Sequence, residues 1–271
     1  PGYKAGAINY ALTNTAEDAE IIAVIDSDYI LSPDWLKSMV PYFENENVGF
    51  VQSPQDYRDS HQGMFKEICY WEYAGFFNIG MVQRNEYNAI IQHGTMTLVR
   101  ASALRSLDGW AEWCITEDTE LGLKLFEAGH AAAYVPQSMG SGLMPDTLEA
   151  FMTQRYRWVY GAMQMLKRHA REIFVGGSAL SWPQRYQFLS GWLPWISDGL
   201  GMVVTIMAIT WTLMMWVLPS YVDVPMPALS AAAMALFAPY VNSYRRLSRF
   251  TAAPINIQWG TDNRTVGLRS P

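Results

Sequence analysis

Up to Trp182 the chain alternates short apolar runs with longer amphipathic stretches. "IIAVID" (Ile21 to Asp26) is continuous and apolar until its closing acid, as expected of a strand covered on both faces. "VGFVQSP" and "AAAYVP" read as further short strands. "NAIIQHGTMTLVR" reads as strand, turn and strand about Gly94. Helical stretches lie between them. One covers Asn9 to Asp18. "SPDWLKSMVPYF" starts another, with Ser32 as N-cap and Pro33 at the first helical position. Gly63 to Arg84 is aromatic and helical. "TEDTELGLKLFEAGH" is a helix with Gly129 where a C-cap glycine belongs. Asp146 to about His169 is the last helix of this part. The alternation predicts an α/β layered domain.

The pattern changes after Trp182. No residue between Asp198 and Asp223 is charged, and that run exceeds the roughly 20 residues that span a bilayer. A second uncharged run, Val224 to Tyr244, carries Pro225, Pro227 and Pro239, and Arg245, Arg246 and Arg249 follow it. With Arg185, these arginines fit a two-span hairpin under the positive-inside rule. The competing reading is a buried helix pair in a soluble protein. "GWLPWISD" offers two tryptophans for an interfacial belt. The tail from Thr251 to Pro271 is polar and patternless. The expected organisation is an α/β domain over 1–170, an interfacial region over 171–198, two spans over 199–244 and a polar tail over 245–271.

Composition supports that division. Charged residues make up 16% of the 271, against about 25% in a typical soluble domain. The net charge of −6 divides into −13 through Ala150 and +7 from Phe151 onward. An acidic globular part argues against nucleic acid as a partner, which needs a basic face. Cys69 and Cys114 lack metal-ligand spacing and read as two reduced thiols.

Three clusters carry candidate chemistry. Asp26 and Asp28 close an apolar strand, at the edge where α/β sheets bind ligands. Residues i and i+2 of an extended segment point the same way. Two such carboxylates suit a hard divalent cation and its phosphate ligands, or else a solvated turn. Thr116, Glu117 and Asp118 open a helix, where acids complement the dipole or supply a general base. Gln154, Arg157 and Trp158 fall at i, i+3 and i+4 on one helix face. Arginine suits phosphate oxygens and tryptophan a sugar ring. The plain alternative is an interfacial helix with snorkelling arginines.

In this order, and followed by membrane spans, the clusters resemble the processive family 2 glycosyltransferases: the cellulose, curdlan and hyaluronan synthases. "KAGAIN" (Lys4 to Asn9) resembles their Lys-x-Gly-x-x-Asn element. "QHGTMTLVRASAL" (Gln92 to Leu104) resembles the glycine-containing segment lining their acceptor site. "VQSPQDYRD", "CITEDTELGLKLFEAG" and "GLMPDTLEAF" look closest to bacterial β-glucan synthases of the β-1,3 or cyclic type.

The resemblance implies a partial GT-A, Rossmann-like domain on the cytosolic face of a bacterial inner membrane, followed by interfacial and transmembrane helices. It implies a UDP-sugar donor, glucose by preference, and a growing glucan acceptor. Asp26 and Asp28 would hold Mg2+ or Mn2+. Asp118 would be the general base, supported by Glu117. Gln154, Arg155, Arg157 and Trp158 would serve the acceptor and pyrophosphate end, with Gly94 and Thr95 beside them. Lys4 and Gly6 would lie on the nucleotide side. Transfer would be a single inverting displacement. A synthase of hyaluronan, chitin or a glycolipid is the same-class alternative, and a non-catalytic membrane scaffold the alternative from another class. The family carries an earlier strand and aspartate upstream of the Lys-x-Gly element. This sequence begins three residues before Lys4, which reads as an amino-terminal truncation and predicts weak UDP-sugar binding and no activity for the chain alone. The end after Phe250 does not continue in the family's way and reads as non-native or shifted.

Overall fold

A computed structural model describes residues 3–217. The strands are β1 (Ile21–Val24), β2 (Ile30–Leu31), β3 (Val48–Gln52), β4 (Asp56–Tyr57), β5 (Thr97–Arg100), β6 (Ala131–Tyr134) and β7 (Gly140–Gly142). The helices are α1 (Tyr3–Thr13), α2 (Trp35–Met39), α3 (Met64–Gly75), α4 (Met81–Asn85), α5 (Ala101–Ser106), α6 (Glu117–Glu127), α7 (Leu148–Phe174) and α8 (Trp182–Val217).

Four strands form a mixed sheet in the order β1-β5-β3-β6. Strand β5 is antiparallel to both neighbours, and β3 runs parallel to β6. A smaller sheet, β2-β7-β4, sits on the segments after β1 and β3. Strand β3 is buried at every residue. Its register shifts between Val48 and Phe50, so alternation breaks there. Val48 and Val51 face one apolar cluster with Trp35, Met39 and Leu98. Phe50 faces the other, with Val99, Leu121 and Phe126. The two clusters are the two covered faces of the sheet.

Several expectations need correction. Strand β1 is an edge strand among the described residues, with Val24 buried and Ala23 exposed. Its apolar run reflects a sheet border, while β3 is the strand covered on both faces. In "NAIIQHGTMTLVR" only Thr97–Arg100 forms a strand. Ala89, Ile90 and Gln92 are buried, but side chains rather than a ladder satisfy this backbone. Gln52 Oε1 accepts from His93 N at 3.0 Å, and Gln52 Nε2 donates to the carbonyls of Thr95 and Met96. The first helix is shifted to Tyr3–Thr13, so the Lys4–Asn9 element lies within it. The helix expected after Ser32 is two short pieces, α2 capped at Asp34 and a 3-10 turn over Val40–Glu44. Pro41 lacks the N–H that a continuous helix needs there.

Helix α7 begins at Thr147, whose side chain accepts from Ala150 N, and runs five residues past His169. Ser181 and Gln184 form a reciprocal capping box that starts α8. Helix α8 continues without a break through Asp198, so the expected 198/199 boundary lies inside it. Trp192 is no belt residue: it is 4% exposed and packs on Phe188 in the core. From Gly201 to Val217 every residue but Met215 is exposed, and most are apolar. Among the described residues α8 is the one helix long and apolar enough to cross a membrane. The expected second span and the tail lie outside the described residues.

Candidate active site

Four sequence candidates meet around Gly94. Lys4 Nζ, from α1, donates to Asp26 Oδ1 at 2.6 Å and to the Gly94 carbonyl at 2.8 Å. A Cβ on Gly94 would stand 2.8 Å from Lys4 Nζ and 3.0 Å from Asp118 Oδ2. Only glycine leaves room for the ammonium and carboxylate to close on that backbone. Thr95 is buried, and its Oγ1 accepts from Asp26 N at 3.0 Å. The end of β1 is thereby pinned beside the start of α6.

Each acid keeps one free oxygen. Asp28 Oδ2 accepts from Leu143 N at 3.0 Å, and the Arg58 guanidinium donates to the Asp28 and Ser141 carbonyls. Asp118 Oδ1 accepts from Thr119 N at 2.7 Å. Among the described residues, Asp26 Oδ2, Asp28 Oδ1 and Asp118 Oδ2 accept no hydrogen bond. Two half-exposed carboxylates with free oxygens fit a hard cation, so Asp26 and Asp28 suit Mg2+ or Mn2+. The open Asp118 Oδ2, beside Gly94, is chemically able to accept a proton. Beside it Glu117 is buried. Burial and then the Asp118 charge push its carboxyl up to about 7. Gly6 lies half-buried in α1, two residues beyond Lys4, with no polar side chain to offer.

The α7 motif divides differently from its spacing. Gln154 Oε1 accepts from the Tyr73 hydroxyl at 2.5 Å. Trp158 is half-buried with its ring edge-on to Tyr73 at 6.1 Å. Arg155, not Arg157, is the enclosed arginine. Its guanidinium sits 4.6 Å from the Phe151 and Trp158 rings and pairs with Glu72 at 2.8 Å. Arg157 is exposed and makes no ion pair among the described residues. Gln154 Oε1 and one face of the Trp158 ring are thus engaged by protein, while the Arg157 side chain lies exposed. Helix α7 also grips the segment before α6. Gln164 Nε2 donates to the Trp113 carbonyl at 3.0 Å, and its Oε1 accepts from Ile115 N at 3.2 Å. Thr116 packs so closely on Gly161 that no Cβ would fit there.

Three residues escaped the sequence reading. His93 stacks on Phe76 at 5.5 Å and meets Phe77 at 5.0 Å. Burial pulls its imidazole below the ordinary value, against the opposing pull of Asp118 and Asp26. Its place beside Gly94 was the available signal. Tyr73 and His169 had none, because their partners are far away in sequence. His169 Nδ1 lies 2.9 Å from Glu127 Oε1, and its Nε2 lies 3.5 Å from Glu120 Oε1. Burial pulls this imidazole down, but the two carboxylates outweigh it and lift it to about 9.

The pattern of the family described as "Glycosyl transferase family group 2" matches residues 21–241. A second pattern, "Glutamine synthetase, catalytic domain", matches residues 226–271. Glucomannan 4-beta-mannosyltransferase 1 of Cyamopsis tetragonoloba is 27% identical over 175 residues, 64% of this chain and 33% of that protein. A UDP-forming cellulose synthase of Dictyostelium discoideum is 32% identical in its catalytic polypeptide over 170 residues, 61% of this chain and 16% of that protein. The chain spans about a third or less of the length of these curated relatives. A mannosyltransferase of Pyrobaculum calidifontis, solved in complex with GDP-Man and Mn2+, superposes with a TM-score of 0.54 at 18% identity, covering 88% of this chain and 61% of that one. The fold is that of a GT-A-like glycosyltransferase.

Proposed function

This chain belongs to the glycosyl transferase family group 2, and from that premise we propose that it is the catalytic part of a membrane-bound, inverting synthase. The donor is UDP-glucose and the product a β-glucan. The enzyme sits in a bacterial inner membrane with residues 1–170 on the cytosolic side, where nucleotide sugars are made. The observation that carries this reading is the convergence of Lys4, Asp26 and Asp118 on Gly94. It supports a donor phosphate and an acceptor hydroxyl meeting at one point.

The roles follow from the free atoms. Asp26 and Asp28 would hold Mg2+ or Mn2+, which supplies Lewis-acid stabilisation of the departing diphosphate when bound. Lys4, already on Asp26, offers its ammonium to the donor side. Asp118 Oδ2 accepts the proton of the acceptor hydroxyl. Glu117, pushed up to about 7 by burial and then by the Asp118 charge, carries less than a full second charge beside that oxygen. Exposed Arg157 meets phosphate oxygens, and Trp158 offers a sugar ring the face that Arg155 leaves uncovered. The apolar run of α8 anchors the enzyme in the bilayer. Its exposed residues stabilise the bilayer-embedded form by about 1.5–3 kcal/mol for each large side chain.

A mannosyl donor is the second reading. It is favoured by the glucomannan mannosyltransferase similarity. Membranes carrying the full-length protein decide between them when given UDP-[14C]glucose or GDP-[14C]mannose with Mg2+. Label from the first entering a polymer that β-glucanase degrades is the expected result. Label only from the second would replace glucose with mannose. No polymer from either, or full polymer formation by the Asp118→Asn variant, would overturn the synthase reading.

A further inference from the structure

Tyr73 lies on α3, outside every motif named above, yet it touches three members of the α7 motif at once. Its hydroxyl donates to Gln154 Oε1 at 2.5 Å. The Arg155 guanidinium lies 5.2 Å from its ring centroid. The Trp158 ring meets it edge-on, at 6.1 Å and 78°. The ring itself is buried, against Tyr57 at 4.9 Å. The residue before it, Glu72, pairs with Arg155.

A side-chain amide has an acceptor end and a donor end, and either can face a given partner. The phenol decides which. Burial, the largest influence, lifts Tyr73 to about 12, so the phenol keeps its proton, and with the donor-only Arg155 guanidinium beside its ring that proton is directed at Gln154 Oε1. Gln154 Oε1 is thereby taken. Gln154 Nε2 makes no hydrogen bond among the described residues, and the side chain is half-buried rather than free to rotate in solvent. The amide is held as a one-sided donor. A sugar hydroxyl, which both donates and accepts, can accept from it.

We propose that Tyr73 is a positioning residue for the acceptor sugar: its hydroxyl fixes the Gln154 amide with Nε2 free for an acceptor hydroxyl, while its ring sets Arg155 and Trp158. This rests on the reading of Gln154 and Trp158 as the acceptor motif.

The test is Tyr73→Phe, which removes one oxygen and keeps the ring contacts. It is assayed in membranes carrying the full-length protein with UDP-[14C]glucose and Mg2+, beside Gln154→Leu and the double variant. Losing a hydrogen bond that orients a reacting partner is expected to lower kcat about tenfold. The donor KM should stay within about twofold and the melting temperature should fall by no more than the few degrees one hydrogen bond carries, whereas a merely structural role would show in the melt and leave kcat of the folded enzyme unchanged. The double variant should be no slower than Gln154→Leu alone, since the two side chains act as one unit. Wild-type kcat for Tyr73→Phe with an impaired Gln154→Leu would overturn the inference and leave the synthase reading standing. Fully additive losses would overturn it equally. Wild-type kcat for Gln154→Leu would instead remove the acceptor reading, and the inference with it.

Discussion

Helix α6 carries carboxylates at both ends, and their surroundings are opposite. Glu117 and Asp118 open the helix beside Asp26 and face a single ammonium, that of Lys4. Glu120, in the same first turn, and Glu127, in the last, close around the His169 imidazole of α7. The first pair is short of positive charge, and Glu117 rises to about 7. The second pair has its cation, and His169 rises to about 9. Carboxylates of one helix thus stay open beside Lys4 on one side and are fastened around His169 on the other. The partner decides, not the helix.

The contrast is broken most severely by Asp118→Asn. The variant keeps the shape and loses the proton acceptor, so turnover in membranes with UDP-[14C]glucose should fall about 100- to 10,000-fold with an unchanged melting temperature. Chelation with EDTA should stop label transfer, and added Mg2+ or Mn2+ should restore it. Asp26→Asn should need far more metal for the same rate.

Around His169, His169→Gln leaves buried Glu120 and half-buried Glu127 without their cation. It should cost about 3 kcal/mol in a denaturant melt. That loss should depend on pH. His169 moves from an ordinary 6.5 to about 9 in the fold. Its stabilisation is therefore complete below about pH 6.5 and disappears as pH rises through 9. Wild type and His169→Gln should converge above that pH.

Glu117→Gln should act with the opposite sign and a smaller size. Its carboxyl moves from an ordinary 4.5 to about 7. Ionising it therefore opposes folding, with no cost below pH 4.5 and the full cost above pH 7. The variant should gain about 1–2 kcal/mol at pH 8 and nothing at pH 4.5, read by paired melts. Thr147→Ala, at the start of α7, should lower stability by about 1 kcal/mol through its lost cap alone.

Local features were legible in the sequence and distant ones were not. The acids of α6 and the glycine that closes it, at φ +88°, belong to one helix and show in its spelling. Strand β3 shows because burial on both faces leaves Val48 to Val51 without a polar side chain. Strand β1 misled, since an apolar run looks alike at a sheet's edge and at its centre. The segment before Met96 misled for a related reason. Its burial was visible, but Gln52, which satisfies its backbone, comes some 40 residues earlier. The motif acids announced themselves, whereas Tyr73 and His169 act through residues 81 and 42 positions away.

The anomeric configuration of the first sugar added tests the central claim most directly. The full-length protein is given UDP-glucose, whose glucose is α-linked, and the new linkage is read by proton NMR. A β linkage is expected, because Asp118 can deprotonate an acceptor for one inverting displacement. An α linkage would contradict the claim, since retention needs a second displacement that one base at Gly94 does not provide.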